Sequence, residues 1–316
     1  MGFHAEITLT GPWRAPAQML ADQEYDGHAS VHDEATAESL GLSGAPIEGP
    51  THFSQFDPLA VTAWGQAWFE RGCISSHFRT MVVEGEEVQA SLVLGGDAGA
   101  GRIQAVKRDG SSVLTGTASI GPDHGTTEVE GRLAQLGPAG ELYVIDRLAI
   151  GDVREVPPPV QMTRSEHNGA SYPFSLDDKL ARITEPHPWY TAPGAAESPW
   201  GRAIVPMEML SVLAHKSGPA WPVRTPSLGL FLDLEVRVID GPVFVDQEYT
   251  VTHELVGLGQ SRRTESYWTR STLFDAASGG TVAMVLLHSG VFKDSYPGYP
   301  ITAERLPDDP ARTGSR

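Results

Sequence analysis

A single cysteine, Cys73, stands in 316 residues, so neither an intrachain disulfide nor a cysteine-rich zinc site can form. That usage fits a reducing compartment, and a cytoplasmic location is the expectation. Basic residues are scarce: 23 Lys plus Arg face 40 Asp plus Glu, a formal net charge of -17. Such a chain repels a phosphate backbone at long range, which argues against nucleic acid as a partner. Long apolar runs are missing as well. The most apolar stretch, TVAMVLLHSGVF at 281–292, is interrupted by His288, Ser289 and Gly290 and falls far short of the ~20 residues that span a bilayer. The first ten residues lack the apolar core of a signal peptide, so neither membrane association nor export is expected. There is no Walker loop, no G-x-G-x-x-G after a strand and no H-E-x-x-H, which removes support for nucleotide hydrolysis, dinucleotide redox chemistry and zincin proteolysis. No metal and no separate cofactor is inferred.

What is present is a folded chain: 40% apolar and 20% charged residues, with Gly and Pro scattered through many turns. Its length suggests two domains. In the first half, Phe53, Phe56, Leu59, Ala60, Trp64, Ala67 and Trp68 recur at helical spacing and predict one core helix over 51–70, with Thr51 as its cap and Gly72 as its stop. Strand-like runs follow at 78–83, 88–94, 102–107 and 112–120, with Asp109-Gly110 as a hairpin turn. A further strand is predicted at 142–150. Pro157-Pro158-Pro159 cannot continue a helix or pair inside a sheet, and the domain boundary is placed there, giving domains 1–153 and 154–316. The second half repeats the order: a helix over 206–216, then strands at 228–239, 243–255, 261–274 and 280–292. Only the tail after about residue 300 is too polar to order by itself.

The repeat reaches into local motifs. Asp26-Gly27-His28 precedes Gly44-Ala45-Pro46-Ile47 and the first helix, while Glu185-Pro186-His187 precedes Gly201-Arg202-Ala203-Ile204 and the second. An acid two residues before a His, ahead of a buried helix, occurs at the same relative place twice.

A buried helix wrapped by an antiparallel sheet and preceded by such a loop resembles the hotdog fold of the MaoC-like hydratases and dehydratases, and the repeat resembles a double hotdog. The resemblance implies an α+β architecture of two fused hotdogs. Asp26, Asp33, Ala37, Gly41, Pro46 and Ile47 match the family's loop pattern in the first copy; Glu185, Pro188 and Ile204 match it in the second. The departures fall at the chemistry. The family's catalytic His corresponds to Val31 and Tyr190, its Asn to His28 and His187, and the Gly whose amide binds the thioester oxygen to Pro50 and Met207. Proline has no N–H to give.

The implied reaction is hydration or dehydration of an acyl thioester on coenzyme A or a carrier protein, a small-molecule partner lodged in a tunnel between the halves. It requires a base for water, an acid for the α-carbon and donors for the enolate oxygen. In the second copy Glu185 is the expected acid or base, His187 the proton carrier and Tyr190 a donor, with Trp189 and the amide of Met207 contacting substrate. In the first copy Asp26 with His28 or His32 is the rival set, beside Gly49. Asp33 and Glu34 read as the start of a short helix, Trp64 and Trp68 as core, and His52 as a satisfied polar residue rather than a base. His77-Phe78-Arg79 and Arg262-Arg263 read as solvated strand residues, with a phosphate contact as the other option. Asp57 and Glu208, acids on the two core helices, keep a hotdog thioesterase open. A non-catalytic binding or scaffolding subunit is the third reading, and a homodimer of double hotdogs is compatible with the repeat.

Overall fold

The computed structural model describes residues 6–25, 28–96, 99–216 and 221–300. Ten strands form one antiparallel sheet: β1 (Ile7–Arg14), β2 (Gly72–Phe78), β3 (Val88–Leu94), β4 (Ala100–Lys107), β5 (Ser112–Ile120), β6 (Val153–Val160), β7 (Gly229–Val238), β8 (Tyr249–Gln260), β9 (Thr264–Asp275) and β10 (Thr281–Phe292). Their spatial order is β1-β3-β4-β5-β2-β7-β10-β9-β8-β6. The first five come from one copy and the last five, in mirrored order, from the other. The copies join through β2 and β7, where Cys73 faces Arg237 and His77 faces Asp233.

The helix predicted over 51–70 is three pieces: a 3-10 helix at Gly49–Phe56, α2 at Asp57–Trp64 and α3 at Ala67–Arg71. Pro58 sets the first break, because it has no N–H for the preceding turn. Gly65 sets the second with φ 62 and ψ -147, a conformation only glycine enters cheaply. Gly72 does end the segment, and β2 starts on it. A Cβ there would lie 2.2 Å from the Trp68 carbonyl oxygen. Thr51 is not the cap; Glu48 occupies that position without a side-chain bond. After the short helices α5 (Leu176–Leu180) and α6 (Ala192–Ala195), the second core helix, α7, runs over Met207–His215, within a residue of the predicted bounds. The short helix α1 (Glu34–Ser39) has the Asp33 carboxylate on the Thr36 amide. Both core helices lie on the inner face, packed among Ile74, Leu92, Leu234, Val236, Val285 and their neighbours. Trp68 is fully buried, with Trp64 stacked on it.

Three expectations need correction. The strand expected at 78–83 lies earlier, as β2 over Gly72–Phe78, and ends where that run was to begin. Pro157-Pro158-Pro159 is part of a strand, β6, which pairs with β8 on one side alone. An edge strand tolerates missing N–H groups, and the register slips there, from Val156 opposite Val251 to Val160 opposite Tyr249. The expected division at 153/154 falls on the first residues of this strand. The strand predicted at 142–150 is absent. Its amides at Tyr143, Val144 and Ile145 donate instead to the carboxylate of Glu265, at 2.8, 2.8 and 3.1 Å, while Val144, Ile145 and Leu148 pack on Leu255 and Val291.

The connector between the copies, including α4 (Glu128–Ala134), thus covers the outer face of the sheet. Beneath it the Asp233 carboxylate takes Nδ1 of His77 at 2.7 Å and Nδ1 of His288 at 2.5 Å, with Arg132 of α4 at 2.8 Å. His77 is therefore bound to a buried carboxylate. Removing the acceptor with Glu265→Ala strands three amides and is expected to cost about 3 kcal/mol or more. Urea midpoints check the size, and limited proteolysis should locate the first cuts in 135–152. No helix of the described residues is long and apolar enough to cross a membrane.

Candidate active site

Where the 3-10 helix of the first copy packs against α7 of the second, the seam is built from charge. Glu208, in the first turn of α7, is 2% exposed, although acids are rarely so buried. Lys179, in α5 (Leu176–Leu180), is equally buried. Its ammonium lies 3.4 Å from Glu208 and 3.7 Å from Glu48, and it donates to Thr51 Oγ1 at 2.8 Å. Neither oxygen of Glu208 has a well-formed hydrogen bond, and Glu48 Oε1 and Gln55 Oε1 are also unpartnered. Burial pushes Glu208 up to about 7, opposed by Lys179 and Ser54 and reinforced by Glu48 and Asp57. Glu48 is raised for the same first reason. His52, 3% exposed, is driven down to about 4 by burial and then by Lys179 and Lys107, so it is neutral at pH 7.

One turn further on, Asp57 bridges the copies. It accepts from Trp68 Nε1 at 2.8 Å and from the Tyr190 hydroxyl at 2.7 Å. Burial pushes it up to about 7 against those two bonds, and burial with Asp57 as neighbour holds the Tyr190 phenol well above its usual range. Tyr190 is fully buried, a tie between halves rather than an open donor.

The loop ahead of Tyr190 forms the rim. His187 begins a short 3-10 turn, and its Nδ1 accepts the Trp189 amide at 3.2 Å. The proton of the neutral ring is thereby left on Nε2, as a donor. The ring is half-buried against Phe69, Trp189 and Tyr190, and burial lowers its pKa. Glu185 does not pair with it. Both carboxylate oxygens of Glu185 go to Arg14 of β1, at 2.5 and 3.1 Å. Trp189 is half-buried, edge-on to Trp200. Met207 is buried at the start of α7.

The first-copy set is described only in part. Asp26 lies outside the described residues. His28 is half-buried, its Nδ1 3.0 Å from the Ala29 carbonyl, and borders a cavity of about 190 Å³ with Thr36, Pro226 and Leu228, whose lining contains none of the seam residues. His32 is half-buried, its Nδ1 donating to the Pro46 carbonyl at 2.6 Å, which leaves Nε2 as the acceptor, and burial lowers its pKa. Gly49 is closed over by Phe78, which a Cβ there would meet at 2.9 Å. Val31 and Pro50 are core residues. The seam residues Glu208, Lys179, Glu48 and Asp57 are all buried. Glu208 and Asp57 stand out in the sequence as acids on core helices; Lys179, Glu48 and Arg14 carry no such signal. The described residues hold no group of three or more His, Cys, Asp or Glu arranged for a metal ion.

No protein-family model and no curated protein matches the sequence. Solved structures do. A protein of Chloroflexus aurantiacus J-10-fl, described by its sequence as a MaoC domain dehydratase, aligns over 92% of this chain and 95% of its own, with TM-score 0.58 and 15% identity. A conserved protein of Mycobacterium tuberculosis, described as a double hotdog fold, aligns over 92% and 97%, with TM-score 0.55 and 14% identity. With five strands and one core helix from each copy, the chain is a double hotdog, sharing its fold with a MaoC-type protein.

Proposed function

We propose that this chain hydrates an enoyl thioester, or dehydrates the 3-hydroxyacyl thioester, with coenzyme A or a carrier protein bearing the acyl group. The observation that carries the reading is Glu208: a carboxylate at the start of a core helix, out of water, brought to about 7 by burial, with both oxygens free of a well-formed hydrogen bond. A base needs such a value to accept a proton from water and return it near neutral pH. The N-terminus of α7 adds a dipole that favours charge developing on a thioester oxygen. His187 supplies the proton from Nε2. The Arg14–Glu185 pair holds the loop that carries His187 over the seam, and this loop moves to admit the acyl group. The first copy, with Val31 and Pro50 where chemistry would need an imidazole and an amide, contributes walls.

His187→Ala is expected to lower crotonyl-CoA hydration by about a hundredfold, whereas Glu185→Gln, which keeps one acceptor for Arg14, should change it by less than about tenfold. Initial rates of the two variants decide between a proton carrier and a loop fastener. A thioesterase is the second reading, favoured by the same Glu208 on a core helix. Free thiol released from an acyl-CoA separates the two.

A further inference from the structure

Around its one ammonium the seam sets two carboxylates within 4 Å, and the three groups come from three different segments. Glu48 precedes the core helix of the first copy, Lys179 comes from α5 and Glu208 from α7. We propose that Lys179 is a positioning residue which, with Glu48 as its counterweight, sets whether Glu208 holds a proton, so that groups from both copies tune the base; this rests on the role given to Glu208 above.

The geometry supports it in three ways. Lys179 is fastened independently of its acids: it donates to Thr51 Oγ1, lies 5.8 Å over the Phe174 ring, and sits in a helix whose start is closed by a reciprocal Ser175–Asp178 capping box. Its distances to Glu208 and Glu48, 3.4 and 3.7 Å, are nearly equal, so the cation is shared instead of being spent on one partner. Two carboxylates in a dry site around one cation repel each other, and the lowest-energy state keeps one proton between them. The groups facing Glu208 are Lys179 from α5, Glu48 and Ser54 from the 3-10 helix and its cap, Asp57 from α2 and Tyr190 from the rim. One step further out is His52, on which Lys179 and, from β4, Lys107 both act. Of these, only Lys179 is a cation within 4 Å of Glu208. The cluster therefore makes a signed prediction: removing the cation should favour the protonated acid, and removing the second anion should favour the carboxylate.

The test is an infrared titration of the protonated-carboxyl stretch, with Glu208→Gln subtracted to assign the band. Lys179→Met should raise the midpoint by at least about one pH unit and Glu48→Gln should lower it by a similar amount, each a tenfold shift in protonation. Lys179→Arg should return it to within about half a unit of wild type. Should Lys179→Met fail to fold, Glu48→Gln and Lys179→Arg carry the test. Midpoints that stay put in Glu48→Gln, or move in the same direction in both charge-removing variants, would overturn the proposal. This readout needs no turnover. A chain that fails to hydrate any thioester but shows the opposed shifts would refute the reaction and leave the charge cluster standing.

Discussion

Replacing Glu208 by Gln is expected to lower crotonyl-CoA hydration at pH 7 by at least about a hundredfold while the fold is retained. Gln keeps the shape and the acceptor oxygen but cannot take a proton. The substitution also removes one of the two carboxylates that share Lys179 in a dry site, leaving the ammonium to Glu48 alone. Because a base acts in its deprotonated form, the wild-type rate should rise with pH through about 7, the value to which burial brings Glu208. The variant's residual rate should lack that rise. Equal rates for wild type and variant across this range would remove Glu208 from the reaction.

The second large effect is on stability. Asp57→Asn can keep both hydrogen bonds, accepting from Trp68 and donating to Tyr190, whose hydroxyl turns to receive it. What it loses is a titration. The folded value of Asp57 is about 7 against an ordinary 3.8, so its contribution to stability is fully present below about pH 4 and is lost as pH rises through about 7. The span corresponds to roughly 4 kcal/mol at 1.36 kcal/mol per unit. The variant should gain on wild type steadily between about pH 4 and pH 7 and hold that lead above, a difference of roughly 10 °C in Tm for a chain of this size. His52 and His253, both driven down to about 4 chiefly by burial, push in the opposite direction, costing stability as pH falls below about 6.5. They are common to both proteins and cancel in the difference. A stability gap that does not change with pH would contradict the assignment of Asp57.

The strands of the second copy were legible within a few residues because alternation and glycine turns mark them directly. The first core helix was legible as apolar spacing but not as three pieces. Pro58 and Gly65 were visible, yet the periodicity runs across both. The false strand at 142–150 arose because Val144, Ile145 and Leu148 are apolar for packing on the outer face, while their amides serve a carboxylate more than a hundred residues away. β1 carries Gly11 and Pro12 and little alternation, and α4 has a central Gly131, so neither announces itself. At the site, Glu208 could be suspected as an acid inside MEMLSVLA. Lys179 could not, since LDDKL reads as an exposed turn of helix. The Arg14–Glu185 pair joins positions 171 apart and depends on the fold having already brought β1 to the rim. The duplication was readable; the charge inside the seam was not.

The most direct measurement is a single assay of the purified full chain with crotonyl-CoA, following loss of the enoyl double bond and appearance of free thiol together, in wild type and Glu208→Gln. Wild type is expected to yield 3-hydroxybutyryl-CoA without thiol, and the variant at least about a hundredfold less of it. Thiol release in step with substrate loss, or hydration that is indifferent to Glu208, would contradict it.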